Sequence, residues 1–190
     1  MTQREKESIE WYRNVLKKTV GKKYSESYNK KRRRIQPGEI IHFEYKNPKT
    51  RDKLKWWDAH PLSIIFRMND RKIWGINLHY VPIPMRKLLI QKVIKLNKLR
   101  IKSNMRFTLQ WNDIKEFLYR NGLAELMTKS YITNRITDLD YVKYEDWYYV
   151  IHLRSEQFIF NGDYSIEDIL AMVRRSQKKT KKSKNKRFGR

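Results

Sequence analysis

Leu62-Ser63-Ile64-Ile65-Phe66-Arg67-Met68 and Ile73-Trp74-Gly75-Ile76-Asn77-Leu78-His79-Tyr80-Val81, joined by Asn69-Asp70-Arg71-Lys72, read as two strands and the turn between them. β-Branched and aromatic residues fill both runs, and the Asn-Asp pair supplies turn chemistry. Alternation puts Leu62, Ile64, Phe66 and Met68 on one face of the first strand. In the second strand Trp74, Ile76, Leu78 and Tyr80 point one way, and Gly75, Asn77 and His79 the other. A further strand over 39–45, after Pro37-Gly38, alternates Ile41, Phe43 and Tyr45 with Ile40, His42 and Glu44. Between these strands runs a loop, Lys46 to Pro61, carrying Lys49, Arg51, Lys53, Lys55 and Trp56-Trp57.

Pro82 and Pro84 end the strand segment and prime a helix. Its expected apolar stripe is Met85, Leu88, Leu89, Val93 and Leu96, with Lys87, Lys95, Lys98 and Lys102 as a basic ridge on another side. A second helical region starts near Asn112 or Asp113 with Ile114, Phe117 and Leu118 inward. After a break at Asn121-Gly122 the spacing predicts another helix over Leu123–Tyr131. That segment offers Lys129 as its one basic group, too little for a helix that reads DNA bases, so a plain helical hairpin is expected. Residues 145–160 read as a strand, with Trp147, Tyr149, Ile151 and Leu153 on one side. A last helix begins at Ser165, with Asp168 three residues on, and carries Ile166, Ile169, Leu170 and Val173. Near the start of the chain, Ile9, Tyr12, Val15 and Leu16 give residues 4–19 the pattern of a short amphipathic helix.

The fold class expected from this order is α+β: a small curled antiparallel sheet with flanking helices and basic terminal extensions. So short and bent a sheet could close into an SH3-like barrel. Three parts are expected: an N-terminal helix and basic arm over 1–36, an α+β domain over 37–173, and a disordered basic tail over 174–190.

Charge sets the class of partner. The 190 residues carry 44 Lys and Arg against 20 Asp and Glu, a net charge of +24. Much of the excess is clustered. One block is Lys30-Lys31-Arg32-Arg33-Arg34; the tail adds Arg174, Arg175, Lys178, Lys179, Lys181, Lys182, Lys184, Lys186 and Arg187 without a single acid. Such blocks repel themselves and seek a polyanion, and phosphate neutralisation releases counterions without any sequence recognition. Nucleic acid is therefore the leading partner. The chain has no cysteine, hence no disulfide frame, thiolate chemistry or Cys-ligated metal, as suits a cytosolic or virion-interior protein. The charged start, Met1-Thr2-Gln3-Arg4-Glu5-Lys6-Glu7-Ser8, lacks a signal peptide's apolar run, and no stretch is long enough to insert in a membrane.

Catalytic signals are weak. Glu44-Tyr45-Lys46 matches half of the carboxylate–x–Lys pattern of metal-dependent nucleases, and Asp52, Asp58 and Asp70 are candidates for the second carboxylate that Mg²⁺ would need. A solvated strand gives the same letters. The four histidines, His42, His60, His79 and His152, have no ligand spacing, and no phosphate loop, nucleophile elbow or zinc pattern occurs. No cofactor or metal is expected. Asn77 and His79 could form a polar site, or a hydrogen-bonded pair that fixes the sheet against the Pro-containing turn. Trp56-Trp57 among cations could stack on exposed bases, or fold back as a lid on the core.

The centre of the chain also resembles a known family. The residues that carry the likeness are Phe43-Glu44-Tyr45 with Pro48, Trp57-Asp58, Pro61-Leu62, Gly75-Ile76-Asn77-Leu78-His79-Tyr80-Val81-Pro82, Trp147, and Leu153-Arg154-Ser155-Glu156-Gln157-Phe158. Over residues 39–160 the chain looks like the small virion proteins of T4-type tailed phages known as DNA end protectors. Trp57, Asp58, Pro61, Gly75, Asn77, His79, Tyr80 and Pro82 are its signature positions here. Trp56-Trp57 stands where the family has a tyrosine pair, and Arg154-Ser155 where it has Pro-Thr. The resemblance implies a non-catalytic protein of the virion, in the host cytoplasm during assembly, that shields the ends of packaged double-stranded DNA. It transfers no catalytic residue. An alternative is a neck or baseplate component docked to acidic phage proteins.

Overall fold

A computed structural model describes residues 35–45, 54–103, 105, 107–142, 144, 147, 158–163, 165–169 and 171–175. Strands β1 (Ile40–Tyr45), β2 (Trp56–Asp58), β3 (Leu62–Met68) and β4 (Lys72–Asn77) come first, then a 3-10 turn at Leu78–Tyr80. Helices α1 (Ile83–Leu96), α2 (Lys98–Lys102), α3 (Trp111–Arg120) and α4 (Ala124–Met127) follow. The chain returns to the sheet as β5 (Thr128–Ile132), a 3-10 turn at Thr133–Arg135, β6 (Ile136–Val142) and β7 (Phe158–Phe160). Residues 166–169 and 171–175 are helical.

The fold is α+β, as its sequence pattern implies. An antiparallel sheet of five strands runs β5-β4-β3-β1-β6, and β2 pairs with β7 in a separate ribbon. Sheet curl is visible in side-chain contacts. β1 and β5 are separated by two strands, yet Tyr131 of β5 lies 5.0 Å from Phe43 and 5.1 Å from Tyr45, centroid to centroid. The Tyr45 hydroxyl also accepts the Ile132 N–H at 3.2 Å. Inside the curl sit Ile41, Phe43, Tyr45, Ile65, Ile73, Tyr131 and Tyr141. On the other face Ile40, Leu62, Ile64, Phe66 and Ile76 pack with Leu89, Ile90 and Val93 of α1 and with Ile114 and Leu118 of α3. Burial on both faces explains why β3 is apolar along most of its length rather than alternating with polar residues. β5 and β6 stand at the two ends of the strand order, so barrel closure by their pairing is not part of the sheet.

Several expectations change. The strand expected over Ile73–Val81 is β4 and ends at Asn77, because the Asn77 side chain accepts the His79 N–H at 2.9 Å and turns the backbone into the 3-10 segment. A register shift between Ile65 and Arg67 inserts a bulge in β3, so Met68 packs with the inner cluster instead of joining Leu62, Ile64 and Phe66. Residues 128–132 are strand, not the end of a helix that started at Leu123. β6 has no counterpart among the expected elements. The long loop before β3 contains β2, and Trp57 is buried there while Trp56 packs on the core, which favours the lid over free stacking rings. Of the strand expected over 145–160, β7 is present, but the buried Trp147 is helical, turned inward so that its Nε1 donates to the Val142 carbonyl at 3.2 Å; residues 145–146 and 148–157 lie outside those described.

The helix after Pro82 is also rotated relative to its expected stripe. Its buried side is Arg86, Leu89, Ile90 and Val93, whereas Leu88 and Leu96 are about half exposed. Arg86 can be buried because its Nε donates to the Val81 carbonyl at 2.7 Å. Asn97, 1% exposed, breaks the helix into α1 and α2. Its amide donates to the carbonyls of Val93 (3.0 Å) and Thr108 (2.9 Å) and accepts the Thr108 N–H at 2.9 Å. The expected start of the last helix is present: Ser165 N–H donates to Asp168 at 2.8 Å, with Ile169 and Val173 buried. The N-terminal helix, the arm up to Arg34 and the tail from 176 onward lie outside the described residues.

Gly38 joins the sheet to the 107–108 loop. Its φ is +96°, and a Cβ there would stand 2.8 Å from backbone atoms of Phe107 and Thr108. We expect Gly38→Ala to cost about 2 kcal/mol or more, from the left-handed backbone and the clash together. Urea unfolding checks this, and a midpoint equal to wild type would contradict the contact.

Candidate functional site

The signature segment builds a buried polar cluster. Gly75 leaves little room for a side chain: a Cβ would meet Ile65 Cδ1 at 3.0 Å, and the Ile64 oxygen and Ser63 Cβ at 3.1 Å. Two residues on, Asn77 donates from Nδ2 to the Asp58 carboxylate (2.8 Å) and to the Tyr131 hydroxyl (3.2 Å). His79 Nδ1 lies 2.6 Å from the same Asp58 oxygen, and the other Asp58 oxygen accepts the His60 N–H at 3.1 Å. Ser63 reaches the Tyr131 hydroxyl at 3.4 Å. One carboxylate therefore ties β2 to the end of β4 and its 3-10 turn, while Asn77 extends the link to β5. Both side chains of the pair are closed to solvent, 0% exposed for His79 and 2% for Asp58.

Tyr80 and Lys129 complete the surroundings. Lys129, opposite Gly75 in the β4–β5 register, places its ammonium 4.4 Å from the centre of the Tyr80 ring. Tyr80 also packs edge-on against Phe158 at 5.0 Å and hydrogen bonds with Trp56, which brings the β2–β7 ribbon onto the signature segment. Pro82 then caps α1.

The cluster is electrostatically uneven. Burial pushes the Asp58 carboxyl upward, but the His79 charge and the hydrogen bonds from His79, Asn77 and the His60 N–H outweigh it, and the group stays below its ordinary range. Burial raises the Tyr80 and Tyr131 hydroxyls well above the usual tyrosine range. Burial also lowers the Lys129 ammonium against the pull of Asp58, and lowers the His60 imidazole against Asp58 and Glu44. The sequence pattern singles out Asp58, Asn77 and His79 but not Ser63, His60, Lys129 and Tyr131 as their neighbours. Nothing local marks those four, since the curl of the sheet assembles them.

The candidate nuclease carboxylates do not converge. Asp58 faces His79 and Asn77, and the Glu44 carboxylate accepts the Thr137 hydroxyl at 2.9 Å. Asp70 sits in the β3–β4 turn, at the opposite end of β3 from Pro61, whose carbonyl accepts an N–H of β1 beside Glu44. Asp52 lies outside the described residues. Among the described residues no group of three or more His, Cys, Asp or Glu is placed to hold a metal ion.

The basic candidates are placed apart from this cluster. Lys87 and Lys95 of α1 and Lys98 and Lys102 of α2 are exposed, on two helices that meet at the Asn97 break. Between Asp70 and Asp113 the chain contains no acidic residue. Arg174 and Arg175 are exposed at the end of the last described helix. Lys30, Lys31, Arg32, Arg33 and Arg34, with Lys178, Lys179, Lys181, Lys182, Lys184, Lys186 and Arg187, lie outside the described residues.

Comparison with protein families gives one decisive match: the model of the phage T4 terminal DNA protecting protein covers residues 1–173. The chain belongs to this family. The span is longer than the 39–160 resemblance legible in the signature motifs, and it takes in the arm at 30–34 while ending where the basic tail begins. Searches of curated proteins and of solved structures gave no match. Among the described residues no helix is long and apolar enough to cross a membrane. In this member of the terminal DNA protecting family, the signature positions Asp58, Gly75, Asn77, His79 and Tyr80 meet in one cluster.

Removing one partner of a buried ion pair leaves the other uncompensated, so His79→Ala should cost about 3–5 kcal/mol, measured by urea unfolding at neutral pH. Asp58→Asn added to it should restore part of the loss, and no restoration would contradict the pairing. Acidification should also destabilise the fold. His60 has a folded pKa below 6.5, so the unfolded chain takes up its proton first and stability falls as pH drops through 6.5. Asp58 has a lowered folded pKa, so its contribution is present above the ordinary carboxylate range and is lost as pH falls through the lowered value. Unfolding midpoints across pH check both steps; His60→Gln should flatten the upper one.

Proposed function

We propose that this chain is a non-catalytic virion protein of a tailed phage that binds double-stranded DNA and shields the ends of the packaged genome. Membership of the terminal DNA protecting family carries the reading, and the acid-free run from Arg71 to Asn112 with its exposed lysines supports it. Lys87, Lys95, Lys98 and Lys102 supply phosphate contacts from a folded surface. The arm at Lys30–Arg34 and the tail from Arg174 add length and charge, and both bind the backbone without reading sequence. The protein works in the particle and, during assembly, in the host cell.

Counterion release makes the expected behaviour quantitative. Duplex affinity should fall steeply with salt and depend little on sequence, with a log–log slope near −0.9 for each phosphate neutralised. Replacing Lys95 and Lys98 by Gln should lower the magnitude of that slope by about 2, roughly one for each phosphate no longer neutralised. A filter-binding series in rising salt measures it. Equal affinity at low and high salt would overturn DNA binding of this kind, and Mg²⁺-dependent cutting abolished by Glu44→Ala would overturn the non-catalytic reading.

A further inference from the structure

The outer face of α1 and α2 carries more than charge. Leu88 and Leu96 are 48% and 49% exposed, Leu99 is 78% exposed, and Met105 just beyond α2 is 54% exposed. At about 100° per residue, Leu88 falls between Lys95 and Lys92 around α1, with Leu96 next in order. Leu89, Ile90 and Val93 fill the buried side, so these exposed leucines are surplus to the core. Single exposed leucines are ordinary; three on two consecutive helices, interspersed with lysines, leave more apolar surface uncovered than isolated exposures would. The Asn97 hydrogen bonds to Thr108 fix the break between the helices and so hold Leu96 and Leu99 in place on either side of it. Such a surface is organised before anything binds.

Duplex phosphates have no use for leucine side chains. Every charged residue between Pro82 and Asn112 is Lys or Arg, so a complementary partner is both apolar and acidic. We propose that the α1–α2 face docks an acidic amphipathic helix of another protein, whose aliphatic side chains cover Leu88, Leu96 and Leu99 while its carboxylates meet Lys92, Lys95 and Lys98. Lys95 and Lys98 then meet carboxylates when the partner is bound and phosphates when it is not, so partner and duplex compete for this part of the surface while the arm and tail stay available to DNA. This goes beyond DNA protection and does not depend on it.

The test uses the full chain and a labelled synthetic helix with Leu at i, i+3, i+4 and i+7 and Glu on the flanking positions, read by fluorescence anisotropy. Binding is expected, with at least a tenfold loss for Leu96→Ser/Leu99→Ser and a loss for Lys95→Glu/Lys98→Glu. Duplex DNA affinity, measured in the same samples, should be unchanged by the leucine substitutions. Four outcomes overturn the proposal: no binding at about 100 µM peptide, the weak end of specific recognition; equal binding of a peptide with Ser in place of Leu, which leaves charge alone; an equal loss of duplex affinity in the leucine variant, which gives the face to DNA; or a lower melting temperature of that variant with no peptide binding, which means the chain itself covers the face. Failure of DNA protection would appear only in the duplex measurement.

Discussion

The Asp58 carboxylate, buried against His79 and Asn77, is the constraint on which the rest of the structure depends. A carboxylate out of water is costly unless opposite charge and hydrogen bonds replace its hydration. Here the replacements come from a strand, a 3-10 turn and the β2–β3 connection: the Asn77 amide, the His79 ring and the His60 N–H. Satisfying one group therefore fixes where β2 crosses the end of β4. Asn77 has a second role, because its carbonyl stops the strand and starts the 3-10 turn that leads into α1. The direction of the helix that carries the exposed lysines is thus set by the same side chain that stabilises the buried acid.

Charge and core are separated in space. Among the described residues, the polar cluster is closed and helps hold the sheet, whereas exposed lysines and arginines lie on α1, α2 and the end of the last helix. Such a division suits a protein whose partner is a uniform polyanion. Backbone phosphate asks for positive charge at the surface rather than for a shaped pocket. Specificity for a genome end, within this reading, rests on placement in the particle, and a helix face that grips a neighbouring protein would provide that placement.

The β3–β4 hairpin is legible in the sequence because its period, its turn and its apolar runs agree. The last helix is legible through its capping residues; α3 is legible through Ile114 and Leu118, but it starts at Trp111 rather than after Asn112 or Asp113, because Gln110 is the cap and Asp113 accepts its N–H from inside the first turn. Other parts depend on contacts that no local pattern carries. Thr128–Ile132 follows the α4 turn with no breaker residue, and it is strand because its pairing with β4 overrides local propensity. The buried side of α1 escapes the pattern because Arg86 looks like a surface residue until the Val81 carbonyl is placed beside it. The Met68 reversal follows from a bulge, which shifts the period by one without a marker in the letters. Asn77 and His79 stand out as polar residues in an apolar strand, but their common partner, Asp58, is distant in sequence.

Protection of ends is tested most directly by digesting one linear duplex, with the full chain bound, in two ways. An exonuclease attacks the termini; an endonuclease attacks a single internal site. If the protein is an end protector, exonuclease digestion stops at concentrations where the internal site is still cut. Equal protection of ends and interior would make it a general polycation coat, and digestion of the ends at the rate of bare DNA would contradict protection outright.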